Sequence, residues 1–172
     1  MKFLVVVLFV FLGITVQAQS GLQRFENLVG KWDGTGEGFG NAKSKISAEY
    51  TWLMNEQFIE MKHRSVFDPT LQNPEGEVHE DVGMISYDQA ENKIIFRQYH
   101  TEGYMNEYVL NDSLSTSEVL VFETRKIENF VPGGKARFTI KIISDSEIET
   151  VFDVGFPGKE MACFGTNHLK KQ

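Results

Sequence analysis

Four histidines, His63, His79, His100 and His168, are the side chains of this sequence best suited to chemistry at neutral pH. A neutral imidazole is a common metal ligand and general base, because its ordinary pKa is about 6.5. No two of them have the spacing of zinc ligands on one helix or strand, so a metal site would have to be assembled by the fold. The single cysteine, Cys163, lies in an apolar MACF stretch with no base beside it, which is typical of a structural thiol.

Familiar catalytic motifs are missing from the sequence. It contains no G-x-S-x-G elbow and no H-E-x-x-H pair. Three acidic residues flank His79, namely Glu77, Glu80 and Asp81, and their position beside a loop is typical of a solvated surface. The glycine-rich GTGEGFG stretch has neither the Rossmann nor the Walker spacing, which argues against nucleotide binding. These features favour a non-enzymatic role.

Residues 1–18 have the pattern of a secretory signal peptide. Lys2 precedes an apolar run that extends to Val16, and a small-residue cleavage pattern ends at Ala18. The run is shorter than the roughly 20 residues of a membrane-spanning helix. We therefore expect an exported domain at residues 19–172, periplasmic or secreted, without membrane insertion. The formal net charge of −7 disfavours nucleic acid as a partner.

The remaining chain has the pattern of a β protein. From residue 43 onward, stretches of alternating polarity are separated by turn-forming clusters, and none has a sustained helical period. Short turns between successive strands predict antiparallel neighbours, and a long meander can hide its edges by closing. We therefore predict an all-β, single antiparallel up-and-down β-barrel of about ten strands. A short helix is predicted only in QSGLQRFENLVG, before the first strand.

The first predicted strand carries an unusual stripe. In LVGKWDGTGEGFG, every even position from Gly30 to Gly40 is glycine except Trp32. Residues two apart on a strand share a face, so Gly34 and Gly36 lie on the same side as the indole. Glycine also permits the bending that barrel closure requires. The pattern predicts a strongly bent strand with open space beside it.

Several short motifs resemble known families. Gly30-Lys31-Trp32 resembles the G-x-W that opens lipocalin-like, calycin-type barrels, which implies that Trp32 closes one end of the barrel. The middle of the chain, with Gly83, Tyr87 and Asp88, resembles an uncharacterised bacterial secreted lipocalin-like family.

More loosely, WDGTGEGFG is similar to the start of nitrobindin-like haem-binding barrels. That resemblance implies haem as a cofactor, with His168 near the chain end as its axial ligand. Strand alternation places His168 on one face with Ala162, Phe164 and Thr166, which we interpret as inward.

A barrel of about ten strands is wider than the roughly eight whose interior side chains fill, so a cavity is expected. We predict that it holds a small apolar or amphipathic ligand. Two alternatives stay open: a haem-binding barrel with His168 as ligand, and a protein-interaction module with a filled barrel and a contact loop at 68–77. A homodimer is compatible with any of them. The predicted cavity residues are Trp32, Gly34, Gly36, Phe58, Met61, His63, Phe96, His100 and Phe164.

Overall fold

Ten antiparallel strands close into one barrel in the computed structural model, which describes residues 21–71 and 73–172. The strands are β1 Gly30–Gly38, β2 Lys43–Leu53, β3 Phe58–Phe67, β4 Glu77–Asp88, β5 Lys93–His100, β6 Met105–Leu110, β7 Val119–Glu128, β8 Lys135–Ser144, β9 Glu147–Gly155 and β10 Ala162–Lys171. Short 3-10 helices cover Gln23–Leu28 and Phe39–Asn41. The predicted all-β barrel with a short N-terminal helix is confirmed. The predicted signal peptide, residues 1–18, lies outside the described residues.

Strand pairing follows the order of the sequence all round the barrel. Each strand pairs with its sequence neighbours, and β1 pairs with β10 from Trp32 opposite Lys171 to Gly38 opposite Gly165. All ten strands are therefore paired on both sides, which removes the exposed edges of an open sheet. Within the described residues, no helix is long and apolar enough to cross a membrane.

One end of the barrel is filled by side chains. The N-terminal 3-10 helix buries Phe25 and Leu28 against the interior, and the indole N–H of Trp32 donates to the Leu28 carbonyl oxygen at 2.7 Å. Phe122 packs between Phe25 and Phe96, with ring centroids 6.1 and 5.5 Å away. This aromatic packing leaves the other end of the barrel as the place for a cavity.

The glycines of β1 allow the neighbouring strand to approach closely. A Cβ atom added at Gly34 would overlap the carbonyl oxygen of His168 and lie 3.0 Å from Leu169 Cα. At Gly36 it would overlap Asn167 Oδ1. The predicted open space beside these two glycines is therefore wrong, because the β10 backbone occupies it at Gly34 and side chains of β10 and β2 occupy it at Gly36. Gly34 lets the backbones of β1 and β10 come together in the barrel wall.

A β-bulge interrupts β10 near its start. Cys163 pairs with Asp153 while Gly165 pairs with Phe152, so Phe164 is an extra residue on this strand. One extra residue reverses the alternation of faces after it. Beyond the bulge, Leu169 is buried in the interior and His168 lies on the outer face.

Candidate functional site

A cavity of about 510 Å³ lies at the end of the barrel opposite the N-terminal helix. Its walls come from the end of β1, the start of β2, much of β3, the first half of β4, the end of β5, single phenylalanines of β8 and β9, and the bulged first half of β10. The volume falls in the usual range of small-molecule pockets, about 300–1,000 Å³. The barrel is therefore not filled with side chains at this end, contrary to the interaction-module alternative.

The loop between β3 and β4 forms part of the cavity mouth. Asp68, Thr70 and Asn73 line the cavity from this loop. The backbone N–H of Asn73 donates to Thr70 Oγ1 at 3.0 Å, and its side-chain amide donates to the Gly76 carbonyl oxygen at 2.8 Å. Gly76 has a φ of 71°, which favours glycine, so the turn shape depends on this residue.

Four of the predicted cavity residues line the cavity: Met61, His63, His100 and Phe164. Trp32 and Phe96, in contrast, are about 1% exposed and lie in the filled half of the barrel. The prediction that Phe58 lines the cavity is also wrong. Because its neighbour Ile59 is fully buried, strand alternation directs Phe58 to the outer face, where it is half-buried.

The polar part of the cavity is built on three adjacent strands. Asp81 of β4 lies directly opposite His63 of β3 and directly opposite His100 of β5. His79 shares its face with Asp81, because the two are separated by one residue on the same strand. The register of the sheet therefore surrounds one carboxylate with three imidazoles. We call these four residues the histidine–aspartate cluster.

The cluster is tightly spaced and mostly buried. Asp81 Oδ1 lies 2.7 Å from His100 Nδ1 and 3.1 Å from His79 Nε2, and Asp81 Oδ2 lies 3.5 Å from His63 Nδ1. Asp81 is 7% exposed and the His100 side chain 3%. The His100 Nδ1 contact has the distance of an ion pair without hydrogen-bond geometry. On its other side, His79 Nδ1 lies 2.6 Å from Glu102 Oε1, in the turn after β5.

Further polar side chains hold the histidine rings in place. The Asn106 amide contacts His100 Nε2 at 3.1 Å and donates to the Tyr108 hydroxyl at 2.8 Å. The Asn167 amide contacts His63 Nε2 at 3.3 Å. The ring of Tyr104 stacks on His100 with centroids 4.1 Å apart. These contacts leave the imidazoles little rotational freedom.

The charged groups of the cluster stabilise one another's ionised forms. Burial alone would raise the pKa of Asp81, but the nearby imidazoles of His100, His63 and His79 outweigh it and hold this pKa well below its ordinary value. The hydrogen bond to Asp81 raises the pKa of His79 to about 9, and Glu102 adds to the effect against the cost of desolvation. Asp81 is thus a carboxylate and His79 an imidazolium at neutral pH.

The cavity lining carries an excess of acidic groups. Five carboxylates line it, from Glu37, Asp68, Glu77, Asp81 and Glu102, together with three histidines. No lysine or arginine is among the described lining residues. Glu37 is paired with Lys43, which leaves the other acids to set the potential at the mouth. A cavity of this composition favours cations over anions.

His168 does not fit the role of a haem ligand. The interpretation that it faces inward is wrong, because the bulge between Cys163 and Gly165 reverses the alternation along β10. Its side chain is 59% exposed and lies 3.4 Å from Glu149 Oε2 on the outer face. An axial histidine needs an apolar pocket around the porphyrin. The position of His168 therefore gives no support to the haem-binding alternative.

Sequence reasoning missed the centre of the cluster. Asp81 was interpreted as part of a solvated surface, whereas it is buried beneath three imidazoles. One signal was available: His79 and Asp81 share a face with Gly83 and Ile85, and Ile85 is buried. Two buried amides, Asn106 and Gln98, also carry no sequence motif, although both follow the alternation of their buried apolar neighbours. Gln98 accepts a hydrogen bond from the Tyr108 hydroxyl at 3.3 Å.

The comparisons with known proteins show the fold alone. No protein-family model and no curated protein matches the sequence. The crystal structure of Rv2717c from M. tuberculosis is 15% identical and has a TM-score of 0.60, over 88% of this chain and 96% of that chain. This likeness fits a closed antiparallel β-barrel.

Two further solved structures show weaker structural likeness. A fluorescence-activating β-barrel of de novo design is 11% identical, with a TM-score of 0.44 over 86% of this chain and 95% of that chain. The structure of EF1p2_mFAP2b bound to DFHBI is 12% identical, with a TM-score of 0.47 over the same shares of the two chains.

Proposed function

We propose that the protein binds an amphipathic small molecule in the barrel cavity. The observation that carries this proposal is a cavity of about 510 Å³ lined by both polar and apolar side chains. The polar groups include the histidine–aspartate cluster. The apolar side chains are those of Met61, Phe67, Phe138, Phe152 and Phe164. Burial of an apolar ligand body against these side chains supplies affinity, at about 25 cal/mol per Å² of apolar surface.

The polar end of the ligand is neutral or cationic in this proposal. The lining offers carboxylates and imidazoles but no lysine or arginine among the described residues. The imidazolium of His79 is already paired with Asp81 and Glu102, so an anionic head group buried beside them, such as a fatty-acid carboxylate, would find no free counter-charge there, which is costly. An amine would instead be stabilised by these acids. We also propose that the protein is exported, on the N-terminal sequence pattern alone.

A matched pair of substitutions on one strand tests whether the cavity is the binding site. Ser65 is 6% exposed and lines the cavity, whereas the side chain of the next residue, Val66, lies on the outer face of β3. Ser65→Phe is expected to fill part of the cavity and weaken binding of the neutral dye Nile red by about tenfold or more, since each 1.4 kcal/mol is a factor of ten. Val66→Phe adds a similar volume outside and should bind like the wild type. Equal dye binding by both variants would refute the cavity as the site.

The head-group preference needs a separate test on metal-free protein. Decylamine and decanoate have chains of equal length but opposite charge at neutral pH. Decylamine is expected to displace Nile red at a concentration about tenfold lower than decanoate, through its attraction to the acidic lining. If the two compete equally, or decanoate competes better, the proposed preference for a cationic or neutral end is wrong.

A further inference from the structure

We infer that the cavity also contains a binding site for a divalent transition-metal ion, formed by His79, His100 and Glu102. Each of these residues presents one ligand atom, and the three atoms lie within 4.8 Å of one another. Ligands of a tetrahedral metal, each about 2.0–2.1 Å from it, lie about 3.3 Å apart. Small side-chain shifts therefore suffice to close the site. Two imidazoles and a carboxylate are donors of the kind that Zn²⁺ and its neighbours prefer.

The environment of His79 has the arrangement of a metal-binding histidine. Its Nε2 lies 3.1 Å from Asp81 Oδ1, and this hydrogen bond leaves Nδ1 directed towards Glu102. A histidine ligand commonly donates its second ring N–H to a carboxylate, which fixes the tautomer and the ring orientation. Asp81 thus acts as a positioning residue for the metal site.

His100 supplies the second, independent observation. Its side chain is 3% exposed, and its Nδ1 has no hydrogen bond of acceptable geometry, although Asp81 Oδ1 is 2.7 Å away. A lone pair on Nδ1 places the ring proton on Nε2, which lies 3.1 Å from the Asn106 amide. A 180° turn of this amide lets its oxygen, which is buried without a partner, accept that proton. Buried polar atoms are rarely left in this state without a reason. A metal ion bound at Nδ1 would satisfy it.

Glu102 is the residue that distinguishes a metal site from a purely structural polar cluster. Asp81 and the histidines could be explained as a satisfied polar group in the barrel wall. Glu102 lies in the turn after β5 with its side chain 46% exposed, yet it approaches His79 to 2.6 Å. The turn contains Gly103 at a φ of 85°, a backbone conformation that favours glycine. No lysine or arginine of the described lining competes for these acids, and a metal ion bound at His79 Nδ1 would take the place of the second ring proton of His79.

Calorimetric titration of the untagged full-length protein with Zn²⁺ alone tests the site. We expect one Zn²⁺ per chain, and binding at least about tenfold weaker in His79→Gln and in Glu102→Gln. His168→Gln is the control, because it removes an exposed histidine that lies outside the cavity. Titration with Co²⁺ should also give the visible absorption bands of a coordinated ion, reduced in His79→Gln.

These outcomes test the metal site independently of small-molecule binding, because the titration contains Zn²⁺ and no organic ligand. Folding of each variant is checked by circular dichroism, and Glu102→Gln replaces one half-exposed carboxylate with an amide of the same size. The inference is overturned if the wild type binds no stoichiometric Zn²⁺. It is also overturned if His79→Gln and Glu102→Gln bind as tightly as His168→Gln.

Discussion

Replacing Gly34 by alanine tests the close contact between β1 and β10. The new Cβ would overlap the His168 carbonyl oxygen and lie 2.9 Å from its carbonyl carbon and 3.0 Å from Leu169 Cα. All three obstructing atoms belong to backbone that is paired on both sides, so none can move without separating strands. Overpacking of this kind costs about 1–3 kcal/mol, and we expect the upper end of that range.

Gly38→Ala is the matched control on the same strand. Its nearest neighbour would be the ring of Phe67 at 3.4 Å, an ordinary van der Waals contact. The backbone at Gly38 is extended, with a φ of −94°, so alanine is tolerated and stabilises the fold by up to about 1 kcal/mol. The two variants should therefore differ by about 3 kcal/mol in the free energy of unfolding.

Urea denaturation followed by tryptophan fluorescence measures this difference. A loss of about 3 kcal/mol corresponds to a fall in melting temperature of roughly 6–12 °C for a domain of this size. The m-value is the slope of the unfolding free energy against urea concentration. Equal m-values in the two variants would show that the substitutions change the stability of the folded state and leave the denatured state alike. If the two unfolding free energies agree within about 0.5 kcal/mol, the close approach of the strands is not as described and the reasoning fails.

Two further predictions concern charge. On the outer face, the hydrogen bond from Arg125 and the nearby Arg97 lower the pKa of Glu107. Glu107→Gln should cost about 1 kcal/mol at pH 7, with a penalty that is constant above the ordinary glutamate pKa of about 4.3 and shrinks below it. Urea titrations across this range measure it, and a pH-independent penalty would contradict the assignment. In the cavity, saturating Zn²⁺ adds positive charge, so decanoate should now displace Nile red more readily than decylamine. The same assay on His79→Gln should show no such reversal, and a reversal there would place the metal elsewhere.

The parts of the fold that depend on local alternation were predictable. Strands β2 to β5 are regular, so simple parity placed His63 and His100 on the inward face, where both line the cavity. Parity failed on β10, because the bulge at Phe164 is defined by pairing with β9 and has no local sequence signal. His168 was misassigned for that reason alone.

The cluster around Asp81 could not be predicted, for a related reason. Its three histidines come together because β3, β4 and β5 are aligned in one register. The loop of residues 68–76 between β3 and β4 is too long for its turn type to fix that register. An acidic residue beside such a loop is usually solvated, and only the alignment of both neighbouring strands shows that Asp81 is enclosed.

The hydrogen-bonded loop at the cavity mouth also has a kinetic consequence. With the helix end of the barrel packed by aromatic side chains, a ligand arrives and departs past the same residues, among them Thr70 and Asn73. Narrowing this passage without touching the bound molecule slows entry and exit by the same factor. Residence time would lengthen while the dissociation constant stays unchanged. The rate of exchange is thus set by the mouth, and the affinity by the walls beneath it.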